Sequence, residues 1–139
     1  MKTIIPPEPS EYKQHKSIFV WAKAMEREHP ELELLNSSAN GAWFPGVLGK
    51  LKFAIINSLK ATGCLKAGFP DINLPVSRGG WNALYIEFKK KNGIPSPEQV
   101  AMVRKLKGHG NMACFCYGQS MAEMVIVHYL KGGFQREDK

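Results

Sequence analysis

Glu87 and Lys89 stand two residues apart in the segment Trp81 to Lys90, and in an extended strand that spacing sends both side chains to one face. Leu84, Ile86 and Phe88 alternate to the other face and make a fully apolar set. Asp71 opens the preceding extended segment, so a hairpin would bring a second carboxylate beside the first. Two carboxylates and an ammonium in one place suit hydrolysis of a phosphodiester. That reaction needs a neutralised phosphate, an activated water and a stabilised leaving oxygen, and a carboxylate-held hard cation can supply all three. Mg2+ prefers oxygen ligands and keeps several waters, so Asp71, Glu87 and the backbone carbonyl of Phe88 would suffice for it or for Mn2+. Lys89, a compact point charge, suits orienting or deprotonating the attacking water while resting against the phosphate.

Those groups need elements to hold them. Ser10 after Pro9 is a good N-cap, and Ile18, Phe19, Ala22 and Met25 then keep helical spacing until the His29-Pro30 stop. Glu11 and His15 fall on that stripe at i and i+4, so a carboxylate points inward. Glu31 to Asn36 reads as a short strand, and Ser37 to Pro45 as a loop containing Asn40-Gly41. Val47 to Ala61 resumes helical spacing through Leu48, Leu51, Ile55 and Leu59, with Gly63 as C-cap. Asp71 to Val76 and Trp81 to Lys90 form a hairpin through Ser77, Arg78, Gly79 and Gly80. Ser96-Pro97-Glu98-Gln99 opens a helix over Val100, Val103 and Leu106 that ends at Gly108 to Gly110. Met112 to Tyr117 is a last strand and Met121 to Leu130 a last helix. The αβαββαβα order predicts an α/β fold, a central mixed sheet flanked by helices on both sides.

With 139 residues, one domain over 1–139 is expected, its core about 10–131. Nineteen Lys plus Arg against twelve Asp plus Glu give a net charge of +7, which favours a polyanion, DNA first. No stretch approaches the roughly 20 apolar residues of a spanning helix, and residues 1–11 lack a signal-peptide apolar region, so no membrane role is expected. Three cysteines without Cys-x-x-Cys or Cys/His spacing fit a reducing, cytoplasmic setting, with Cys114 and Cys116 simply packing.

Each feature also has a plainer reading. Asp71 alone would serve as a turn cap, and Glu87 with Lys89 as a solvated strand face. Glu11 complements a helix dipole, and Ser96-x-x-Gln99 is a capping box with proline at the first helical position. Arg104, Lys105 and Lys107 usually mean a solvated face. Beside a phosphate-cleaving site they and Lys90 and Lys91 would track a nucleic-acid backbone, as would Arg78 and Asn40. Trp43 and Phe44 suit core or dimer packing, with a base-stacking wedge as the alternative. His15, His109 and His128 lack metal-ligand spacing and read as surface or packing residues.

Pro70-Asp71, fifteen intervening residues and Glu87-Phe88-Lys89 together resemble the PD-(D/E)xK nuclease signature, carried on a restriction-endonuclease-like core. Within that class the chain looks like the VRR-NUC family, the virus-type replication-repair nuclease domain, from about Glu11 to Leu130. Glu11, Asn40-Gly41, Gly63, Gly68-Phe69-Pro70-Asp71, Glu87-Phe88-Lys89, Gly93, Ser96 with Gln99, and Tyr129-Leu130 carry the resemblance. It implies Asp71 and Glu87 as metal ligands, Lys89 as catalytic lysine, and Glu11 and Gln99 as supporting site residues. It further implies a Mg2+- or Mn2+-dependent homodimeric endonuclease that cuts Holliday junctions or other branched DNA in a bacterial or phage-infected cell. Ala42-Trp43-Phe44-Pro45 stands where many relatives carry an arginine, so Lys50 or Lys52 is expected to take that phosphate contact. The rival expectation is a non-catalytic basic DNA-binding module that keeps the nuclease fold. An RNA-binding reading is weaker, since no paired aromatic RNP-like motif appears on the strands.

Overall fold

A computed structural model describes residues 8–39 and 49–137. The Asn40-Gly41 loop, Trp43, Phe44 and Leu48 lie outside the described residues. Helix α1 spans Glu11–Met25, and the Ser10 side chain accepts from the Lys13 N–H at its start. Its inner face buries Ile18 and Ala22, as the spacing predicts.

Residues Pro30–Leu34 form a 3-10 helix, where a strand was expected over 31–36. Pro30 presets φ at the first helical position. Leu32 and Leu35, three apart, are both buried, which a three-residue turn allows and an alternating strand would forbid. The strand shrinks to β1, Asn36–Ser37.

Helix α2, Gly49–Ala61, has no buried residue. The expected core stripe is therefore corrected: Leu51 is 64% exposed, and Ile55 and Leu59 are half-buried. Periodicity marks an amphipathic helix without saying what covers its apolar side.

Strands β2 (Ile72–Leu74) and β3 (Leu84–Lys89) pair antiparallel with Ile72 opposite Ile86, both shorter than expected. At the tip of their connection Arg78 and Trp81 exchange backbone hydrogen bonds around Gly79 and Gly80, both at positive φ, which a tight two-residue turn requires. Helix α3 (Pro97–Gly108) then carries the chain back to β4 (Met112–Tyr117), which lies parallel to β3, and α4 (Gln119–Leu130) closes the fold. The sheet order is β1-β2-β3-β4, a mixed sheet flanked by helices in the expected element order.

The core sits on one face of the sheet. Ile72, Leu74, Leu84, Ile86 and Phe88 meet Ile18 and Ala22 of α1 and Ala122, Ile126 and Tyr129 of α4. Side chains at 85, 87 and 89 take the opposite face, where α3 packs on β4. Cys116 is buried in the core, and its Sγ lies 4.0 Å from that of Cys114.

Candidate active site

Continuing the β2–β3 register by one residue from Ile72 and Ile86 sets Asp71 against Glu87. Both are buried, Asp71 at 7% and Glu87 at 3% exposure, so the solvated-face reading of Glu87 fails. Burial pushes the Asp71 carboxyl up to about 6, opposed by the hydrogen bond that its Oδ2 accepts from the Phe88 N–H at 3.0 Å. Burial and then the Asp71 charge push Glu87 up to about 8. Two buried acids side by side cannot both stay ionised without a cation between them; in its absence the pair keeps a proton. Glu87 Oε2 is buried with no hydrogen-bond partner. These hard oxygen donors fit Mg2+ or Mn2+.

The proline before Asp71 has a backbone reason. A further step along the register sets Pro70 against Phe88, and in an antiparallel pair a residue's N–H and C=O point to the same neighbour. Pro70 has no N–H to give, so the ladder supplies no donor to the Phe88 carbonyl. The Pro70 carbonyl accepts from the Ser38 hydroxyl at 2.9 Å, and the Phe88 N–H has turned to Asp71. Among the described residues no three His, Cys, Asp or Glu side chains meet so as to hold a metal ion by themselves.

A shelf behind Asp71 was not legible in the sequence. The Ser38 N–H donates to the Asp71 carbonyl at 2.8 Å and the Ser37 hydroxyl to the same oxygen at 3.0 Å. His15 Nε2 lies 3.2 Å from that hydroxyl, and its ring packs between Phe19 and Phe88. Burial lowers the pKa of His15, so it serves as a neutral packing residue.

Gln99 does two jobs. Its Oε1 accepts from the Ser96 N–H at 2.9 Å while Ser96 Oγ accepts from the Gln99 N–H, which completes the capping box. Its Nε2 donates to Glu87 Oε1 at 2.7 Å. One oxygen of Glu87 is thereby fixed by the start of α3, and the other is left free. Gly68 lets the turn before Pro70-Asp71 approach that helix. It has φ +75°, and a Cβ there would stand 2.4 Å from the Glu98 carbonyl oxygen.

Lys89 lies on the same face as Glu87, its Nζ 3.7 Å from Glu87 Oε1 and its side chain 16% exposed. It opens into a cavity shared with Glu8, Glu11, Lys90 and Gly93. Gly93 folds the following turn over the lysine stem, where a Cβ would meet Lys89 Cβ at 3.2 Å. Glu11, half-buried in the first turn of α1, lines that same cavity, and its charge adds to the rise in pKa of both site acids.

The expected DNA contacts divide. Lys90 and Lys91 are exposed beside Lys89, and Lys50 and Lys52 are exposed on α2. Asn40 lies outside the described residues. Arg78 is engaged elsewhere: Nη2 pairs with Glu31 at 2.7 Å, Nε donates to Leu130 O and Nη1 to Ser77 O, so it pins the hairpin to the 3-10 helix and α4. Lys105 and Lys107 fall in the last turn of α3, eight residues from Gln99 in the case of Lys107, or about 12 Å along the axis. They stand near the end of the sheet opposite Lys89, since residues 110 and 112 bond residues 82 and 83.

No family model matches the chain, and no curated protein matches it. A solved structure of a VRR_NUC domain protein superposes on it with a TM-score of 0.71 at 23% identity, covering 94% of this chain and 96% of that one. At that identity the likeness speaks for architecture, and over nearly the whole length of both chains it is one architecture: this chain has the VRR-NUC fold.

Proposed function

We propose that this protein is a divalent-metal-dependent endonuclease of the VRR-NUC family that hydrolyses phosphodiester bonds in branched DNA, Holliday junctions foremost. The observation that carries the reading is the buried pair Asp71 and Glu87, backed by Lys89 and left with an unpartnered carboxylate oxygen. A purely structural role gives no reason to bury two carboxyl groups together. The fold and the net charge of +7 support the same reading.

A bound Mg2+ or Mn2+ would supply positive charge to the phosphate and the leaving oxygen and make a water easier to deprotonate. Asp71 Oδ1, Glu87 Oε2 and Phe88 O are the atoms proposed to hold it. Gln99 fixes Glu87 through Oε1, and the Phe88 N–H fixes Asp71 through Oδ2, so both acids are aimed before any ligand arrives. Lys89 orients the attacking water and rests against the phosphate, with Glu11 across the cavity as a positioning residue. Lys90, Lys91, Lys50 and Lys52 contact the backbone. No helix among the described residues is long and apolar enough to cross a membrane. A cytoplasmic homodimer is proposed, because two symmetric cuts across a four-way junction need two sites related by a two-fold axis.

The test is a panel of four-way junction, flap, splayed-arm and linear duplex DNA with Mg2+, Mn2+ and Ca2+. The expected result is scission of branched substrates with Mg2+ or Mn2+. Tight, salt-sensitive binding without scission under any ion would instead identify a DNA-binding module.

A further inference from the structure

Helix α2 leaves an aromatic ring in solvent. Phe53 is 68% exposed, and no residue of the helix is buried. Lys50, Phe53, Asn57 and Lys60 recur at i, i+3, i+7 and i+10, which places them within one narrow stripe of a 3.6-residue helix, and all four are exposed. The sequence of α2 carries three lysines, Lys50, Lys52 and Lys60, and no acid. The chain reaches Asp71 ten residues after α2 ends at Ala61, so the Lys60 end of the stripe stays within about 40 Å of the site.

From this juxtaposition we infer that the α2 stripe is a binding surface for unpaired DNA, with Phe53 stacking on a base while Lys50 and Lys60 hold the flanking phosphates. An exposed ring set between lysines offers what a single strand needs: a flat apolar face for a base, and point charges for the backbone on either side. Charge selects this occupant over a second copy of the chain. Two α2 helices facing each other would bring six lysines together without one carboxylate on either helix, whereas a polyanion neutralises them. Intact duplex hides its base faces, so the surface discriminates for the unpaired nucleotides of a branch point. The inference rests on the proposed nuclease reading and names the substrate feature that this site would meet.

The experiment measures binding in EDTA, so that no cleavage intrudes, using a 12-nucleotide single strand carrying 2-aminopurine and a duplex of the same sequence. Phe53→Ala is expected to weaken single-strand binding about ten-fold, to abolish the quenching of 2-aminopurine seen with the wild type, and to leave duplex binding unchanged. Phe53→Trp should keep both signals. Lys50→Gln with Lys60→Gln should weaken both DNAs and lower the slope of log K against log salt by about 2. Equal single-strand affinity and quenching for Phe53→Ala and wild type would overturn the inference while leaving the nuclease reading intact. So would light scattering in which wild type is a dimer and Phe53→Ala a monomer without DNA. A wild type that binds neither DNA would remove the nuclease reading as well.

Discussion

Asp71→Asn and Glu87→Gln are each expected to lower single-turnover cleavage of a four-way junction by about a thousand-fold or more, with junction binding largely kept. Each change removes a proposed metal ligand and no cation that touches phosphate. Metal charge at a phosphoryl centre contributes several kcal/mol to the transition state, and about 4 kcal/mol is three decades of rate. Both substitutions nearly preserve side-chain volume, so the packing around the pair stays intact. Gel-based cleavage with 10 mM-scale Mg2+ or Mn2+, about that concentration being saturating for a weak oxygen site, reads the rate directly. Either variant cutting at the wild-type rate would remove the assignment.

Glu87→Gln should also raise stability at alkaline pH in EDTA, because the acid pair is held at a cost to the fold. With Asp71 at about 6 and Glu87 at about 8, the folded chain keeps protons that the unfolded chain releases near pH 4. Between those limits the unfolded state binds fewer protons, so the sign of the linkage makes stability fall as pH rises from about 4 through about 8. In EDTA the melting temperature is therefore expected to drop across that window by roughly 5 °C or more. Mn2+ should restore much of the loss, and restore most at the alkaline end, where protons no longer compete for the carboxylates. Glu87→Gln should melt above wild type at pH 8 in EDTA and ignore Mn2+. A wild-type melting temperature that stays flat from pH 5 to 8, or one that rises, would show that the pair is not strained in this way.

Much of this site was open to reading from sequence because it depends on a period of two. Glu87 and Lys89 share a face while Leu84, Ile86 and Phe88 fill the core, and the hairpin sets Asp71 opposite Glu87; none of that needs long-range information. Glu11 on the α1 stripe was legible for the same reason at a period of 3.6. The shelf of Ser37, Ser38 and His15 behind Asp71 was not, since its links span 22 to 34 positions and pass through a two-residue strand that pattern analysis cannot resolve. Gln99 was half legible: its capping box follows from local spacing, but its bond to Glu87 depends on how α3 docks over the sheet. Arg78 shows the converse. A lysine or arginine near a phosphate-cleaving motif invites a phosphate contact, yet tertiary packing gives this guanidinium Glu31 and two carbonyls. The 3-10 helix at Pro30–Leu34 escaped because alternation over six residues is weak beside a proline that presets φ. The exposed stripe of α2 escaped because apolar spacing announces a buried face even where the core is already covered by α1 and α4.

Asp71 and Glu87 are proposed to grip one cation, and calorimetric titration of Mn2+ into the DNA-free protein at pH 8 reads that grip without any contribution from cleavage. Wild type is expected to bind one ion per chain, Lys89→Ala to keep that site, and Asp71→Asn and Glu87→Gln to lose it. Unchanged Mn2+ binding in both carboxylate variants, or no binding by wild type, would contradict the account.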